Sequence, residues 1–152
     1  MTRAAFRDAD ERDVTRIIEI ERLAFAHPWS AEAFLHELSL PFSRTIVGLA
    51  NDATELLTGF LCRWLVADEC HILNVAVHPD YRRTGVATLL MREAIAEATL
   101  KRAAIITLEV RRSNIAARGL YRNLMFEDRR IRKNYYGAGE DAIVMERRLP
   151  DF

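Results

Sequence analysis

With 152 residues, half of them apolar, the chain is sized for one compact domain over residues 1–152 rather than for two. Twenty-two lysines and arginines balance 22 aspartates and glutamates, so no whole-molecule field argues for nucleic acid or an anionic membrane, and any recognition has to be local. The N-terminal MTRAAFRDADERD lacks the apolar core of a signal peptide, and no apolar run approaches the ~20 residues of a membrane span, which together predict a soluble cytoplasmic protein.

In chain order, Ala4 to Arg7 suggests a short first strand, and Asp10 is placed to cap a helix whose apolar stripe is Val14, Ile17, Ile18 and Phe25. Glu21 falls inside that stripe. Pro28 breaks the pattern, Ser30 caps a second short helix to about Leu38, and Pro41 closes it. Three β-rich runs follow, Thr45 to Ala50, Gly59 to Val66 and His71 to Val77. Turn formers at Asn51-Asp52 and Asp68-Glu69 separate them, which predicts an antiparallel meander. Val86 to Arg102 is the longest helix, with Ala87, Leu90, Met91, Ala94, Ile95 and Ala98 on one face. Ala104 to Val110 reads as a buried strand, Asn114 to about Asn123 as a helix, and Phe126 to Tyr135 with Ala142 to Leu149 as a terminal hairpin. The order βααβββαβαββ is that of an α/β chain with a mixed sheet, in which the long helix makes one parallel crossover. Cys62 and Cys70 lie in strand-like runs without the spacing of a zinc site; they are expected as buried free thiols, and no metal is predicted.

The stretch NVAVHPDYRRTGVATLL, Asn74 to Leu90, runs from strand through a glycine- and arginine-bearing loop straight into a helix. A helix N-terminus leaves its first amides unpaired and carries about half a positive charge, so this arrangement suits a phosphate. Gly85 permits a backbone conformation or an approach that a side chain forbids, and Ala87 keeps the first turn open. The spacing is neither that of a P-loop nor GxGxxG. RRTGVA fits R/Q-x-x-G-x-G/A instead; a solvated basic turn is the plainer alternative.

That pattern resembles the acetyl-CoA pyrophosphate loop of the GCN5-related N-acetyltransferases (GNAT). A second block, TLEVRRSNIAARGLYRNLMF from Thr107 to Phe126, together with IEIERLAFAHPWS and RKNYYGAGEDAIVM, resembles the RimI branch of that family, which acetylates the N-terminal alanine of a small-subunit ribosomal protein. The resemblance covers nearly the whole chain. It implies the acyl-CoA N-acyltransferase fold, a sheet splayed beside Val75, Ala76 and Val77 so that the pantetheine arm of acetyl-CoA lies there. It also implies a pyrophosphate held by Arg83, Thr84, Gly85, Val86, Ala87 and Thr88, and Asn114 near the thioester end.

The residues also carry chemistry of their own. Along Ile105 to Val110 alternation places Glu109 with Ile105 and Thr107, and a partly desolvated carboxylate there suits a general base. Pairing with Arg111 or Arg112 is the structural alternative. Tyr121 lies on the stripe Ala117, Leu120, Tyr121, Leu124, where an aromatic is ordinarily core; the resemblance assigns it as general acid to the coenzyme A thiolate. An α-amine with a pKa near 8 is about a tenth neutral at pH 7, against roughly one part in 2,500 for lysine, a difference of about 3 kcal/mol that favours an N-terminal amine. Glu21, Trp29 and Tyr135 flank a possible peptide site, with plain packing as the other reading. The cluster Arg129, Arg130, Arg132 and Lys133 is read as a solvated strand face, and direct nucleic-acid binding is not expected.

The expected activity is therefore acetylation of a protein's free N-terminal alanine or other small residue, most simply on a small-subunit ribosomal protein. A lysine or small-amine acetyltransferase and a non-catalytic acyl-CoA-binding module are the alternatives from other classes. One departure stands out: Met125 in LMF occupies the place where the family usually has glycine, so a left-handed cap there would strain it by about 1 kcal/mol. Gly119 inside the preceding helix costs it about 1 kcal/mol in helix propensity.

Overall fold

The computed structural model describes residues 5–50 and 56–150. Ala4 and the Asn51-Asp52 turn lie outside them. The elements are strands β1 (Ala5–Asp8), β2 (Ser43–Leu49), β3 (Leu57–Val66), β4 (Glu69–Val77), β5 (Ile105–Arg111), β6 (Glu127–Arg132) and β7 (Ala142–Arg148), and helices α1 (Val14–Ala24), α2 (Ala31–Ser39), α3 (Val86–Leu100) and α4 (Ile115–Asn123). The sequence order is the expected βααβββαβαββ, and the seven strands form one open mixed sheet in the order β1-β2-β3-β4-β5-β7-β6. Two compact units divide the chain: Met1–Trp64 with Asn74–Ile95, and Leu65–Leu73 with Ala96–Phe152. Among the described residues no helix is long and apolar enough to cross a membrane.

In the first unit, β1 and β2 pair antiparallel from Ala5↔Leu49 to Asp8↔Ile46, and β2 pairs antiparallel with β3. Asp10 caps as expected, but it caps a short 3-10 turn, Glu11–Asp13, that precedes α1. The carboxylates of Asp10 and Asp13 exchange hydrogen bonds with each other's end of that turn, at 2.9 Å each. Arg7 grips Asp13 with two bonds of 2.8 and 2.9 Å. Helix α1 buries Val14, Ile17, Ile18 and Ile20 against Phe34 of α2 and Val47, Leu49, Phe60 and Ala76 of the sheet; Phe25 falls just past the helix end. Ser30 Oγ accepts the Ala33 amide at 3.2 Å and so starts α2. The buried Glu37 at its far end accepts from Ser43 Oγ at 2.9 Å and from the Trp64 indole.

The hairpin turn between β3 and β4 is Ala67-Asp68, one residue earlier than expected, with Ala67 in the left-handed region at φ 52°. In the second unit β4 pairs in parallel with β5 over Glu69–Ile72 and Ile105–Leu108, and β7 pairs antiparallel with both β5 and β6. The β4–β5 ladder ends at Ile72↔Leu108, and β4 itself runs on to Val77.

Helix α3 stops at Leu100, two residues short of the expected end: Arg102 turns left-handed at φ 60°, and the Ala103 amide donates back to the Ala98 carbonyl at 2.9 Å. Its buried face begins at Val86, while Ala87 is half-buried. Helix α4 closes the same way. Met125 takes φ 71°, its amide donates to Arg122 O at 2.9 Å, and the Phe126 amide donates to Tyr121 O at 3.0 Å. Methionine thus accepts the glycine conformation, with its side chain 70% exposed. Met125→Gly removes about 1–2 kcal/mol of left-handed strain and adds about 0.5–1 kcal/mol of unfolded-state entropy. The net gain is at most about 1.5 kcal/mol, so we expect thermal unfolding of that variant to move up by a few degrees at most; a clearly lower midpoint contradicts the strain argument. Both cysteines are buried thiols, as expected, and are not joined in a disulfide.

Candidate active site

The first unit presents the end of β4 and the loop into α3. Along β4, Asn74 and Ala76 are buried and Val75 and Val77 half-buried. Val86 seats the first turn of α3 against the sheet where two strands carry glycine. A Cβ on Gly59 would lie 2.7 Å from the Ala76 carbonyl oxygen and 3.1 Å from Val86 Cγ1, and one on Gly48 would lie 3.0 Å from the same methyl. The helix start is therefore held hard against β2 and β3, where Gly59 lies close to the end of β4. In the loop before it Arg83 (φ 62°) and Gly85 (φ 88°) are both left-handed, and Thr84 Oγ1 donates to the Tyr81 carbonyl. The Leu89 amide donates to Gly85 O at 2.9 Å, so the amides of Val86, Ala87 and Thr88 come before the first helical hydrogen bond. No acidic residue occupies that turn, and Arg82 and Arg83 are exposed beside it. Such a cradle is built to hold an anion.

Glu21 and Trp29 belong to the same unit. Glu21 was expected as a peptide contact, but it is only 1% exposed. Its Oε2 accepts the Trp29 amide at 2.8 Å and its Oε1 accepts Asn74 Nδ2 at 2.7 Å, so each oxygen already accepts a hydrogen bond from within the fold. Burial pushes its pKa up, against the two hydrogen bonds, which pull it down. The Trp29 ring packs on Phe34, centroids 5.1 Å apart, and Phe34 stacks edge-on to Phe60 at 5.4 Å. Trp29 itself is half-buried, in the turn that enters α2.

The second unit holds the titratable cluster. The burial of β5 alternates as expected, with Ile106, Leu108 and Val110 inside and Glu109 on the half-open face. Neither Arg111 nor Arg112 pairs with Glu109; Arg132 of β6 does, at 3.4 Å, and the Tyr135 hydroxyl hydrogen-bonds to it, which raises the phenol's pKa. Tyr135 lies beyond the end of β6, in the loop to β7, with its ring 5.0 Å from that of Tyr136 and Arg132 above its face at 5.3 Å. Arg111 instead lies over the Tyr136 ring at 4.3 Å and reaches Glu140 at 3.9 Å. Ser113 Oγ donates to Glu140 at 2.6 Å, and Asp141 accepts the Asn134 amide at 2.9 Å, so the loop is tied back to the end of β5. Burial, and after it the Glu109 charge, push the Tyr136 phenol up to about 12.

Tyr121 is the buried residue of α4 and packs on Phe126. Burial raises its phenol's pKa well beyond the ordinary value, and Tyr136 adds to the shift, so the group keeps its proton at any ordinary pH. Asn114 caps α4, its Oδ1 accepting the Ala117 amide at 3.2 Å, and its Nδ2 remains as a donor. The residue that sequence reasoning passed over is Asn74, along with the specific places of Arg111 and Arg132. Asn74 did leave a signal, as a polar side chain in phase with the buried Ile72 and Ala76. Arg132 left none beyond its membership of a basic run.

The sequence pattern of the acetyltransferase (GNAT) family matches residues 14–126. The chain belongs to that family. The GNAT relative named ribosomal protein bS18-alanine N-acetyltransferase, from Escherichia coli (strain K12), is 37% identical over 139 residues, 88% of this chain and 89% of its own. The crystal structure of the ribosomal-protein-S18-alanine N-acetyltransferase from Escherichia coli superposes with a TM-score of 0.88 at 31% identity, covering 99% of this chain and 96% of that one. The NAA60 protein of Arabidopsis thaliana, solved in complex with acetyl-CoA, shares the GNAT fold at a TM-score of 0.85 and 20% identity, over 97% of this chain and 99% of that one. This chain is accordingly an N-acetyltransferase.

Proposed function

We propose that this chain, working as a single catalytic domain in the cytoplasm, transfers the acetyl group of acetyl-CoA to the N-terminal α-amine of a protein that begins with alanine or another small residue, a small-subunit ribosomal protein being its substrate. What carries this reading is the likeness, over nearly nine-tenths of the chain, to an enzyme named for that amine. Acetyl-CoA supplies an activated thioester. Val75, Ala76 and Val77 offer backbone groups to its pantetheine arm, the loop from Arg83 to Thr88 holds its pyrophosphate, and Asn114 offers its Nδ2 nearer the thioester.

Glu109 takes the proton from the incoming ammonium, directly or through water, so that the neutral amine attacks the acetyl carbon. The C–N bond forms, the C–S bond then breaks and Tyr121 gives its proton to the departing sulfur, while the second proton shed by the nitrogen returns through water to the Tyr121 oxygen. Arg132 and Tyr135 hold the Glu109 carboxylate in one orientation, and Trp29 and Tyr135 border the first residues of the substrate. An α-amine needs about 3 kcal/mol less than a lysine to reach its neutral form at pH 7, which suits a single carboxylate base.

Thiol release measured with an Ala-starting peptide, with the same peptide blocked at its α-amine, and with a polyamine tests the assignment. We expect turnover with the first alone. Turnover with the blocked, lysine-bearing peptide or with the polyamine moves the activity to another amine, and binding of acetyl-CoA without turnover makes the chain a non-catalytic module.

A further inference from the structure

Glu21 is an ionisable side chain for which the proposed reaction has no direct use. Among the described residues no cation pairs with it; its two oxygens are satisfied by two neutral donors, a backbone amide and a side-chain amide. A methionine of similar volume would fill the same space without the cost of desolvating a carboxylate. What the carboxylate adds is direction. One donor is the Trp29 amide, between Pro28 and Ser30 where the chain turns into α2. The other is Asn74, the residue immediately before Val75–Val77. A single side chain on α1 thus ties the turn proposed to border the substrate to the strand segment proposed to carry acetyl-CoA, all within the first unit.

We infer that Glu21 is a positioning residue: through Trp29 and Asn74 it fixes the α1–α2 turn against the end of β4, and so sets how tightly the first residue of the substrate is gauged. The inference rests on the reading of those two segments given above. Neither donor can be replaced by packing alone, because each bond holds a group in one orientation. The amide of Asn74 can be reversed, however, and this gives the arrangement a signature. In Glu21→Gln the new carbonyl still accepts from Trp29, and the new amide can donate to Asn74 once that side chain turns over. Asn74→Asp sets two carboxylates face to face. The double variant Glu21→Gln with Asn74→Asp restores one acid and one amide with their places exchanged.

The test is steady-state kinetics with Ala- and Leu-starting peptides, with acetyl-CoA affinity measured by calorimetry on the same preparations. We expect Glu21→Met to lower kcat/KM for the Ala peptide by about 10–100-fold and to flatten the Ala-over-Leu preference. Glu21→Gln should cost a few-fold at most. Asn74→Asp should weaken both acetyl-CoA affinity and kcat/KM by at least about tenfold, and the exchanged pair should recover most of both. A Glu21→Met enzyme with lowered thermal stability but unaltered selectivity and kcat/KM overturns the inference, as does failure of the exchanged pair to improve on Asn74→Asp. If Glu21→Met does not fold, Asn74→Asp and the exchanged pair decide alone. Wild-type enzyme inactive on the Ala peptide speaks against the proposed function instead, and the acetyl-CoA affinities of the four variants still judge the Asn74 link.

Discussion

Gly85→Glu is expected to leave a folded protein that no longer binds acetyl-CoA. A Cβ on Gly85 meets nothing within 4 Å, so the substitution creates no clash in the fold. Its φ of 88° costs an ordinary residue about 1–2 kcal/mol, which lowers the unfolding midpoint by a few degrees and no more. The effect on the ligand is much larger. The carboxylate lands beside the open amides of Val86, Ala87 and Thr88, competes for them, and repels a pyrophosphate: two like charges about 4 Å apart near a protein surface cost ~4 kcal/mol, about a thousandfold in affinity. Gly85→Ala separates the causes, since it carries the backbone strain without the charge and should lose only a small part of the affinity. Calorimetry on the folded Gly85→Glu protein that gives the wild-type dissociation constant removes the anion cradle from the mechanism.

The largest effects on turnover are expected at Glu109 and Tyr121, each about 10²–10⁴-fold, the usual range for acid–base groups. Glu109→Gln keeps acetyl-CoA affinity and loses most at low pH, where unassisted neutral amine is scarcest. Tyr121→Phe slows departure of the thiolate with little dependence on pH, because the buried phenol holds its proton across the working range. The same shift has a stability consequence of fixed sign. A folded-state phenol pKa raised above its unfolded value near 10 favours the fold below that pH, and the benefit is lost as pH climbs above it. Phenylalanine at 121 should therefore flatten the alkaline arm of the unfolding curve. Near wild-type turnover in both variants, with the chemical step shown to limit the rate, would return these two side chains to a purely structural part.

Local pattern carried much of this architecture. The stripe of α1, the alternation along β5 and the Ser30 cap each follow from a few neighbouring residues and the geometry of one element, while the left-handed place of Met125 was visible only through the glycine that the resembling family has there. The differences come where a residue's fate is settled by something distant in sequence. Arg102 ends α3 although nothing in its side chain asks for a left-handed turn. Ala67 takes the hairpin position that Asp68-Glu69 was expected to supply. Glu109 finds Arg132 two strands away instead of its neighbours Arg111 and Arg112. Arg111 shares its face of β5 but lies over the Tyr136 ring and reaches Glu140, and Arg112 follows the end of the strand and reaches Asp141. Strand β6 comes within reach only through the pairing of β7 with both β5 and β6. Glu21 has a helical period that shows only that it faces inward; that its partners are a backbone amide 8 residues on and a side chain 53 residues on is written in no local pattern.

Strand β6 closes the strand order on one side, and all six of its residues, EDRRIR, are exposed. A strand in that position leaves a row of amides and carbonyls without a neighbour, which is an invitation for another chain to zip on. Five of its six side chains are charged, and the irregularity between Asp128 and Arg130 breaks the straight run. A second copy laid alongside would have to bring arginine against arginine and fit a flat partner to a kinked rim. The enzyme thus carries its own guard against fibrous self-association at the border of the sheet that also supplies Arg132 to its proposed base.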